Sequence, residues 1–283
     1  MMPYVKALQR FLSENAGLAF DPSKLFLAED QLAPLARSRG HASVEALVAE
    51  LQMRPDPLLT QAALEAMTTH ETFFFRDRMI FEQFRTLMLP KLISERADTK
   101  RLRIWCAAGS TGQEAYSLAM VLDDEARKLQ GWNVDVLSTD LSCKVTESAR
   151  QAIYSQFEVQ RGLPISYLLR YFRRDGENWQ LAEHVKARVG FRQMNLISDF
   201  SRLGTFDVIL CRNVLMYLDA ATRRRVMDRM VPMLAPGGYL VLGATETLAG
   251  TGAEIKPLPF QGSIGVKAAA IPARPALRLV GQS

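Results

Sequence analysis

Apolar positions change their spacing near residue 100. Before it they recur with helical period: Tyr4, Leu8, Phe11 and Leu12, then Val44, Leu47, Val48 and Leu51 behind a Ser43 cap. Asp56-Pro57 opens a third helix, because the acid can cap it and proline suits a first turn. The pattern predicts an all-helical unit over 1–68. A longer helix over about 76–94 then leads to the first strand. Beyond it, short apolar runs alternate with helical ones, which places strands near 102–107, 134–139, 189–194, 206–211 and 239–243. Ala115, Leu118, Ala119 and Leu122 share one face of the helix after the first strand, and Val226, Met230 and Met233 share one after the fourth. Pro236-Gly237-Gly238 is expected to end that last helix and turn the chain into the fifth strand. The alternation predicts an α/β fold, a doubly wound and mostly parallel sheet with helices on both faces.

One segment breaks the rhythm. After a helix ending near Tyr154, two short runs flank Asp175-Gly176 between Tyr171 and Leu181, the signature of a β-hairpin. The sheet has no need of it, so an inserted antiparallel subdomain at about 157–188 reads as a partner-binding or lid feature. The divisions expected are therefore a helical domain over 1–68, a linking motif and connecting helix over 69–100, and a sheet domain over 101–268. The Ala/Pro-rich residues 269–283 are expected to be disordered.

At Arg103 to Ser117 an apolar strand breaks at Gly109 and Gly112 and passes straight into a helix. Small residues let the backbone approach a ligand, and the new helix offers unpaired N–H groups and a positive dipole end. About twenty-eight residues after Gly112 the second strand finishes on Asp140, where a doubly wound fold places a ribose-reading carboxylate. The alternative for Asp140 is an N-cap of the helix beginning near Ser142. Ligands of open α/β sheets sit beyond the carboxyl ends of the strands. Those ends carry Ser110 to Glu114, Asp140, Asn195, and Arg212-Asn213. Acid, amide and guanidinium converging there suit a polar ligand better than a core. A second element, Thr68 to Asp77, sets Phe73, Phe74 and Phe75 beside Arg76. A partly desolvated arginine fits a stacked or carboxylate-bound role. The alternative is that the phenylalanines join the two domains and that Arg76 pairs with Asp77 or Glu71.

Composition narrows the picture. With 283 residues and 48% hydrophobic content the chain can bury a large core. No apolar run approaches the ~18 residues that span a bilayer, and the first residues do not read as a signal peptide, so a cytoplasmic protein is expected. Cys106, Cys143 and Cys211 are too scattered for disulfides, and with His41, His70 and His184 they make no metal-ligand spacing, so no metal is expected. Cys106 and Cys211 read as space-fillers in packed strands. The net charge is +5, yet residues 1–68 hold six basic against eight acidic side chains, a net of −2. The excess lies at 76–103, at 161–192, and at Arg223-Arg224-Arg225 with Arg229. Such clusters favour an acidic partner, or else form solvated helix faces. No nucleic-acid-binding motif accompanies them, so no nucleic acid is expected.

Several of these segments, in this order, resemble the chemotaxis receptor methyltransferases, the CheR family: Thr69 to Asp77, Ala107 to Ser117, Ser138-Thr139-Asp140, Asn195-Leu196 and Phe206 to Tyr217. The resemblance spans nearly the whole chain, hairpin included. It implies a Rossmann-like class I methyltransferase fold, S-adenosyl-L-methionine as methyl donor, S-adenosyl-L-homocysteine as product, and glutamate side chains on the cytoplasmic helices of chemoreceptors as acceptor. By the same resemblance the cofactor is held by His70, Thr72, Arg76, Gly109, Glu114, Asp140, Asn195, Leu196, Arg212 and Asn213. The family often has Asn where this chain has His70. Arg76 and Tyr217 match residues near the transferable methyl and are the expected catalytic pair. The hairpin matches the part of the family that can grip a receptor's C-terminal peptide as an added strand. The helical domain is implied to meet the receptor bundle, although its net −2 argues against a simple basic face.

The chemistry implied asks for placement more than activation. A sulfonium methyl is already electrophilic and a glutamate is ionised at neutral pH, so in-line displacement needs no general base. Other readings are a methyltransferase with another acceptor and a non-catalytic binder of the same nucleotide. The Thr72 to Arg76 motif with the hairpin speaks against the first, and the presence of both Arg76 and Tyr217 against the second.

Overall fold

The computed structural model describes residues 3–53, 56–248, 254–259 and 264–267. The expected tail at 269–283 lies outside the described residues.

The N-terminal part holds α1 (Pro3–Ala16), α2 (Leu25–Ser38), α3 (Val44–Met53) and α4 (Pro57–Ala66). Their apolar stripes close on one another through Leu8, Leu12, Leu32, Leu47 and Leu64. Asp56 caps α4, its side chain accepting from Leu58 N–H at 2.9 Å, with Pro57 in the first turn. α2 has no counterpart in the sequence reading. Its stripe of Ala28, Leu32 and Ala36 is interrupted by Pro34 inside the helix and preceded by exposed Phe26 and Leu27.

The connecting helix is shorter than expected. Phe75 and Asp77 adopt left-handed φ of 53° and 58°, which no helix accommodates, so helical structure begins only at α5 (Met79–Gln83). A π-turn over Phe84–Met88 joins it to α6 (Leu89–Glu95).

The sheet domain runs through β1 (Arg101–Ala107), α7 (Gln113–Asp124), β2 (Asn133–Asp140) and α8 (Cys143–Gln151). The inserted part is β3 (Ile153–Ser155), α9 (Gln156–Gln160), α10 (Ile165–Tyr171), β4 (Phe172–Asp175), β5 (Asn178–Leu181) and α11 (Glu183–Lys186). The chain returns through β6 (Val189–Gln193), β7 (Phe206–Cys211), α12 (Ala220–Met230), β8 (Leu234–Leu242), β9 (Ile255–Pro257) and β10 (Ile264–Lys267). The seven-stranded sheet has the order β6-β2-β1-β7-β8-β10-β9. From β6 to β8 the neighbours pair in parallel, and β10 is antiparallel to both β8 and β9. Successive strands wind outward from β1 on one side, and the chain then crosses to β7 on the other. The crevice at that reversal is where an open sheet binds its ligand.

Three sequence expectations change here. The helix before the insertion ends at Gln151, and Tyr154 is in a strand. The hairpin forms around Gly176 as expected, but β3 adds a third strand in the order β3-β5-β4. Pro236-Gly237-Gly238 lies inside β8 instead of before it. The strand starts at Leu234 opposite Phe206, slips register, and resumes at Tyr239 opposite Val208. Gly237 takes φ 76° in that irregularity, which is how proline and two glycines fit within a strand. Cys106 and Cys211 are buried, as read, and burial holds both thiols well above their ordinary range.

The two parts are stitched at the site. Leu18 bridges Leu218, Ala19 N–H donates to Tyr217 O at 2.8 Å, and Asp219 N–H to Gly17 O at 3.0 Å. Gln61 Nε2 donates to Leu141 O at 2.8 Å, and Glu65 accepts from Cys143 N–H at 2.7 Å. Gly17, at φ 66°, leaves no room for a Cβ beside Thr222.

Candidate functional site

A cleft of about 1040 Å³, counting its open mouth, lies over the carboxyl ends of β1, β2 and β7. All eleven residues singled out from the sequence line it. β1 brings Gly109 and, through α7, Glu114; β2 ends on Asp140; Asn195 and Leu196 follow β6; Arg212, Asn213 and Tyr217 follow β7. His70, Thr72 and Arg76 come from the segment before α5. Ala16, Leu18, Met67 and Thr68 of the helical part complete the wall, a contribution that spacing alone did not reveal. At the glycine turn the lining is Ala108 to Ser110 and then Glu114, in the first turn of α7; Thr111, Gly112 and Gln113 are not part of it. Gly109 is needed because a Cβ there would run into Ser138 Oγ.

Arg212 organises the inner wall. Its side chain is 1% exposed. It donates to Glu114 Oε2 and Asp77 Oδ2, both at 2.5 Å, and to Arg76 O at 3.0 Å. Burial alone would lower its pKa, but Glu114 and Asp77 outweigh burial and hold it raised. Asp77 was not among the sequence candidates; its left-handed backbone and its partner 135 positions away are what make it part of the site. The Arg212 Nε–H is buried, with no partner among the described residues.

Asp140 is buried, and burial raises its carboxyl pKa despite two backbone donors, Ser142 N–H to Oδ1 at 3.0 Å and Ser110 N–H to Oδ2 at 2.9 Å. It is not the cap of α8. Ser142 is, its Oγ accepting from Val145 N–H. Each Asp140 oxygen keeps a lone pair for a further donor. Asn195 spans the wall, Nδ2 donating to Asn15 O at 2.7 Å and Oδ1 accepting from Ile197 N–H. His70 is tied to the glycine turn, its carbonyl accepting from Ser110 Oγ at 3.0 Å, while its Nε2 lies 2.9 Å from Thr68 Oγ1.

The aromatic motif does not join the helical and sheet domains. Phe74 is fully buried edge-on to Tyr154 and Phe172, at 4.9 and 5.5 Å, and Phe75 packs edge-on to Phe81 and Tyr167. These contacts lie in the inserted subdomain and the connecting helix, and such pairs contribute about 0.5–1.5 kcal/mol each beyond their burial. Phe75 N–H donates to Ser117 Oγ at 2.9 Å, which pins the motif to α7. Nor does Arg76 pair with Asp77 or with the Glu71 carboxylate. Asp77 belongs to Arg212, and the Glu71 side chain binds Arg161, which holds its carboxyl below the usual range. Arg76 is half-buried, donates Nη1 to Glu71 O at 2.8 Å, and sits 5.7 Å from the Phe73 ring centroid. Among the described residues no carboxylate is ion-paired with it. Tyr217, 43% exposed, stands at the same mouth.

Backbone strain concentrates here. Ala108, Ser110 and Asn213 line the cleft with left-handed φ of 64°, 51° and 56°, and Phe75 and Asp77 flank Arg76 in the same region. Each costs on the order of 1–2 kcal/mol, which the surrounding hydrogen bonds offset.

These features fit an adenosyl amino acid. The orphaned Arg212 donor requires an acceptor such as a ligand carboxylate, and Asp140 offers acceptors for ribose hydroxyls. Among the described residues no cluster of His, Cys, Asp and Glu could hold a metal ion, and no helix is long and apolar enough to cross a membrane. The fold and the cleft define the class, a Rossmann-like methyltransferase. Residues 70–262 match the family described as CheR methyltransferase, SAM binding domain. The chain is 36% identical to chemotaxis protein methyltransferase Cher2 of Pseudomonas putida, over 85% of this chain and 88% of the relative. It is 38% identical to chemotaxis protein methyltransferase 1 of Pseudomonas aeruginosa, over 84% and 88%, and 37% identical to the Vibrio cholerae protein of that name, over 85% and 88%. The chain belongs to the CheR methyltransferase family and uses S-adenosyl-L-methionine.

Proposed function

We propose that this protein methylates glutamate side chains on the cytoplasmic helices of chemoreceptors, acting in the cytoplasm. The observation that carries the reading is the Arg76 guanidinium, half-buried at the mouth of the donor cleft that Tyr217 also lines, with no carboxylate ion-paired to it among the described residues. Relatives named chemotaxis protein methyltransferase supply the biological setting.

His70, Thr72, Gly109, Glu114, Asp140, Asn195, Leu196, Arg212 and Asn213 would hold the donor, which supplies an activated methyl group. Arg212 and its two acids keep that wall rigid. Arg76 and the Tyr217 hydroxyl orient the incoming carboxylate by charge-assisted and phenolic hydrogen bonds. A grip too tight on the ground-state carboxylate would lower its nucleophilicity, so their benefit is positional. The cleft walls exclude water that would otherwise solvate the nucleophile. In this reading residues 1–68 meet the receptor bundle, residues 101–268 hold the donor together with His70 and Thr72 of the linking motif, and β4, an outer strand of the small sheet, offers its free edge to a receptor's C-terminal peptide.

The test is incubation with tritiated donor and membranes containing chemoreceptors, followed by alkaline hydrolysis. Methyl esters release volatile tritiated methanol, whereas methylated amines do not. Label that resists base would rule out the ester.

A further inference from the structure

Glu246 follows β8 and is 8% exposed. The four strand ends named from the sequence omit this fifth one, where the same rule of polar residues after an apolar run points to Thr245-Glu246. Among the described residues its carboxylate receives five backbone N–H groups. Oε2 accepts from Asn213 at 2.9 Å and Gly243 at 2.8 Å; Oε1 accepts from Val214 at 3.0 Å, Leu215 at 2.8 Å and Met216 at 3.3 Å. Four consecutive amides can converge on one anion only if the backbone coils around it. Asn213 accordingly takes φ 56°, and a 3₁₀ turn follows over Leu215–Tyr217.

We propose that Glu246 is the positioning residue of the methyl-transfer site, the internal anion on which the Asn213 to Tyr217 loop is wound. The inference rests on the function proposed above. Asn213 and Tyr217 line the cleft and Glu246 does not, so it acts through them. Hydrogen bonds to an ionised acceptor are roughly twice as strong as neutral ones, which offsets the left-handed strain at Asn213. A carboxylate is the required group. In a glutamine the single oxygen serves one set of donors and the NH₂ faces the other, so at least two backbone N–H groups meet a donor whichever way the amide turns.

The test compares the full chain with Glu246→Gln. Amide hydrogen exchange locates the effect, and steady-state kinetics with calorimetric binding of S-adenosyl-L-homocysteine measure it. The expected result is a folded protein in which residues 213–217 and Gly243 lose protection and the rest of the sheet does not, kcat falls at least tenfold, and the donor KM rises by less than that. A kcat within twofold of the parent, or a rate loss that only tracks the unfolded fraction, overturns the proposal. Should Glu246→Gln fail to fold, Gly243→Ala decides. A Cβ there comes 2.8 Å from Asn213 Nδ2 and 2.9 Å from Glu246 Oε2, so it presses the same contact apart with the carboxylate intact. A folded Gly243→Ala protein at parental kcat refutes Glu246's role, and one slowed at least tenfold supports it. A parent that binds no S-adenosyl-L-homocysteine sinks the methyltransferase reading itself, a failure distinct from that of Glu246.

Discussion

The inner wall and the outer mouth of the cleft are built on opposite principles. On the wall, Arg212 is shared by two carboxylates and a carbonyl, and both Asp140 oxygens hold backbone N–H groups. At the mouth, Arg76 has one carbonyl and an aromatic face, and the Tyr217 ring is substantially open to solvent. The wall's side chains are held by internal partners and present a fixed shape, keeping for a ligand only the Arg212 Nε–H and the free lone pairs of Asp140. The mouth has donors to spare and can take a carboxylate that arrives on another protein. Desolvated charge belongs where nothing moves, and unpartnered charge where the acceptor must come and go.

The comparison breaks most visibly at Arg212. Arg212→Ala strands Glu114 and Asp77, and removing one partner of a buried pair costs about 3–5 kcal/mol. Urea unfolding should show that loss, and adding Glu114→Gln should return part of it. If the single variant were as stable as the parent, the wall would not be an electrostatic framework. Arg76→Ala should do the reverse. Stability stays close to parental, while methyl transfer falls on the order of 10²-fold, the scale of losing one preorganised donor. Normal turnover would remove Arg76 from the mechanism.

What the sequence disclosed follows the same division. Strand ends were legible because each apolar run of the parallel sheet stops at a polar residue, and Ser110, Glu114, Asp140, Asn195, Arg212 and Asn213 from those ends meet in one cleft. Pairings across the fold were not, since nothing local marks Asp77 for Arg212 or Glu65 for Cys143. Local sequence left open that Arg76 pairs with Asp77 or Glu71, whereas left-handed turns at Phe75 and Asp77 accompany different partners for successive side chains. α2 escaped because Pro34 and two exposed apolar residues blur its stripe. The basic run of α12 was read as a docking or solvated face, yet Arg223 donates to Leu215 O and Leu218 O, and Arg229 to Ile197 O and Ser198 O. Part of that charge is spent on loops around the site.

Asp140 sharpens the comparison through pH. Burial raises its pKa, so it takes up a proton at a higher pH than an ordinary aspartate would. A protonated Asp140 turns one acceptor into a donor, so affinity for S-adenosyl-L-homocysteine should fall as pH drops, beginning above the pH at which an ordinary aspartate protonates. For stability the sign is opposite: with the native pKa above the unfolded one, burying the charge costs stability above the native pKa, and the cost fades as pH falls. Asp140→Asn should bind about tenfold more weakly at neutral pH and lose the acid dependence, as calorimetry across pH would report. A parent whose affinity is flat over that range would mean that the ligand does not read this carboxylate.

The smallest effect belongs to Tyr217, and it separates orientation from shape. Tyr217→Phe removes one hydroxyl from a ring that is 43% exposed and leaves the backbone bond from Ala19 N–H to Tyr217 O in place. A neutral hydrogen bond contributes about 0.5–1.5 kcal/mol, so kcat should fall severalfold, up to about tenfold, with donor affinity and stability unchanged. The strap from the helical domain gives a control. Gly17→Ala forces a side chain into Thr222 at a left-handed φ, shifting the strand that pairs with the Tyr217 loop while the phenol stays chemically intact. If the hydroxyl orients the acceptor, Gly17→Ala should slow transfer in a chain carrying Tyr217 and much less in one carrying Tyr217→Phe. Equal slowing in both would show that the strap only shapes the mouth and that the phenolic oxygen takes no part in aiming the carboxylate.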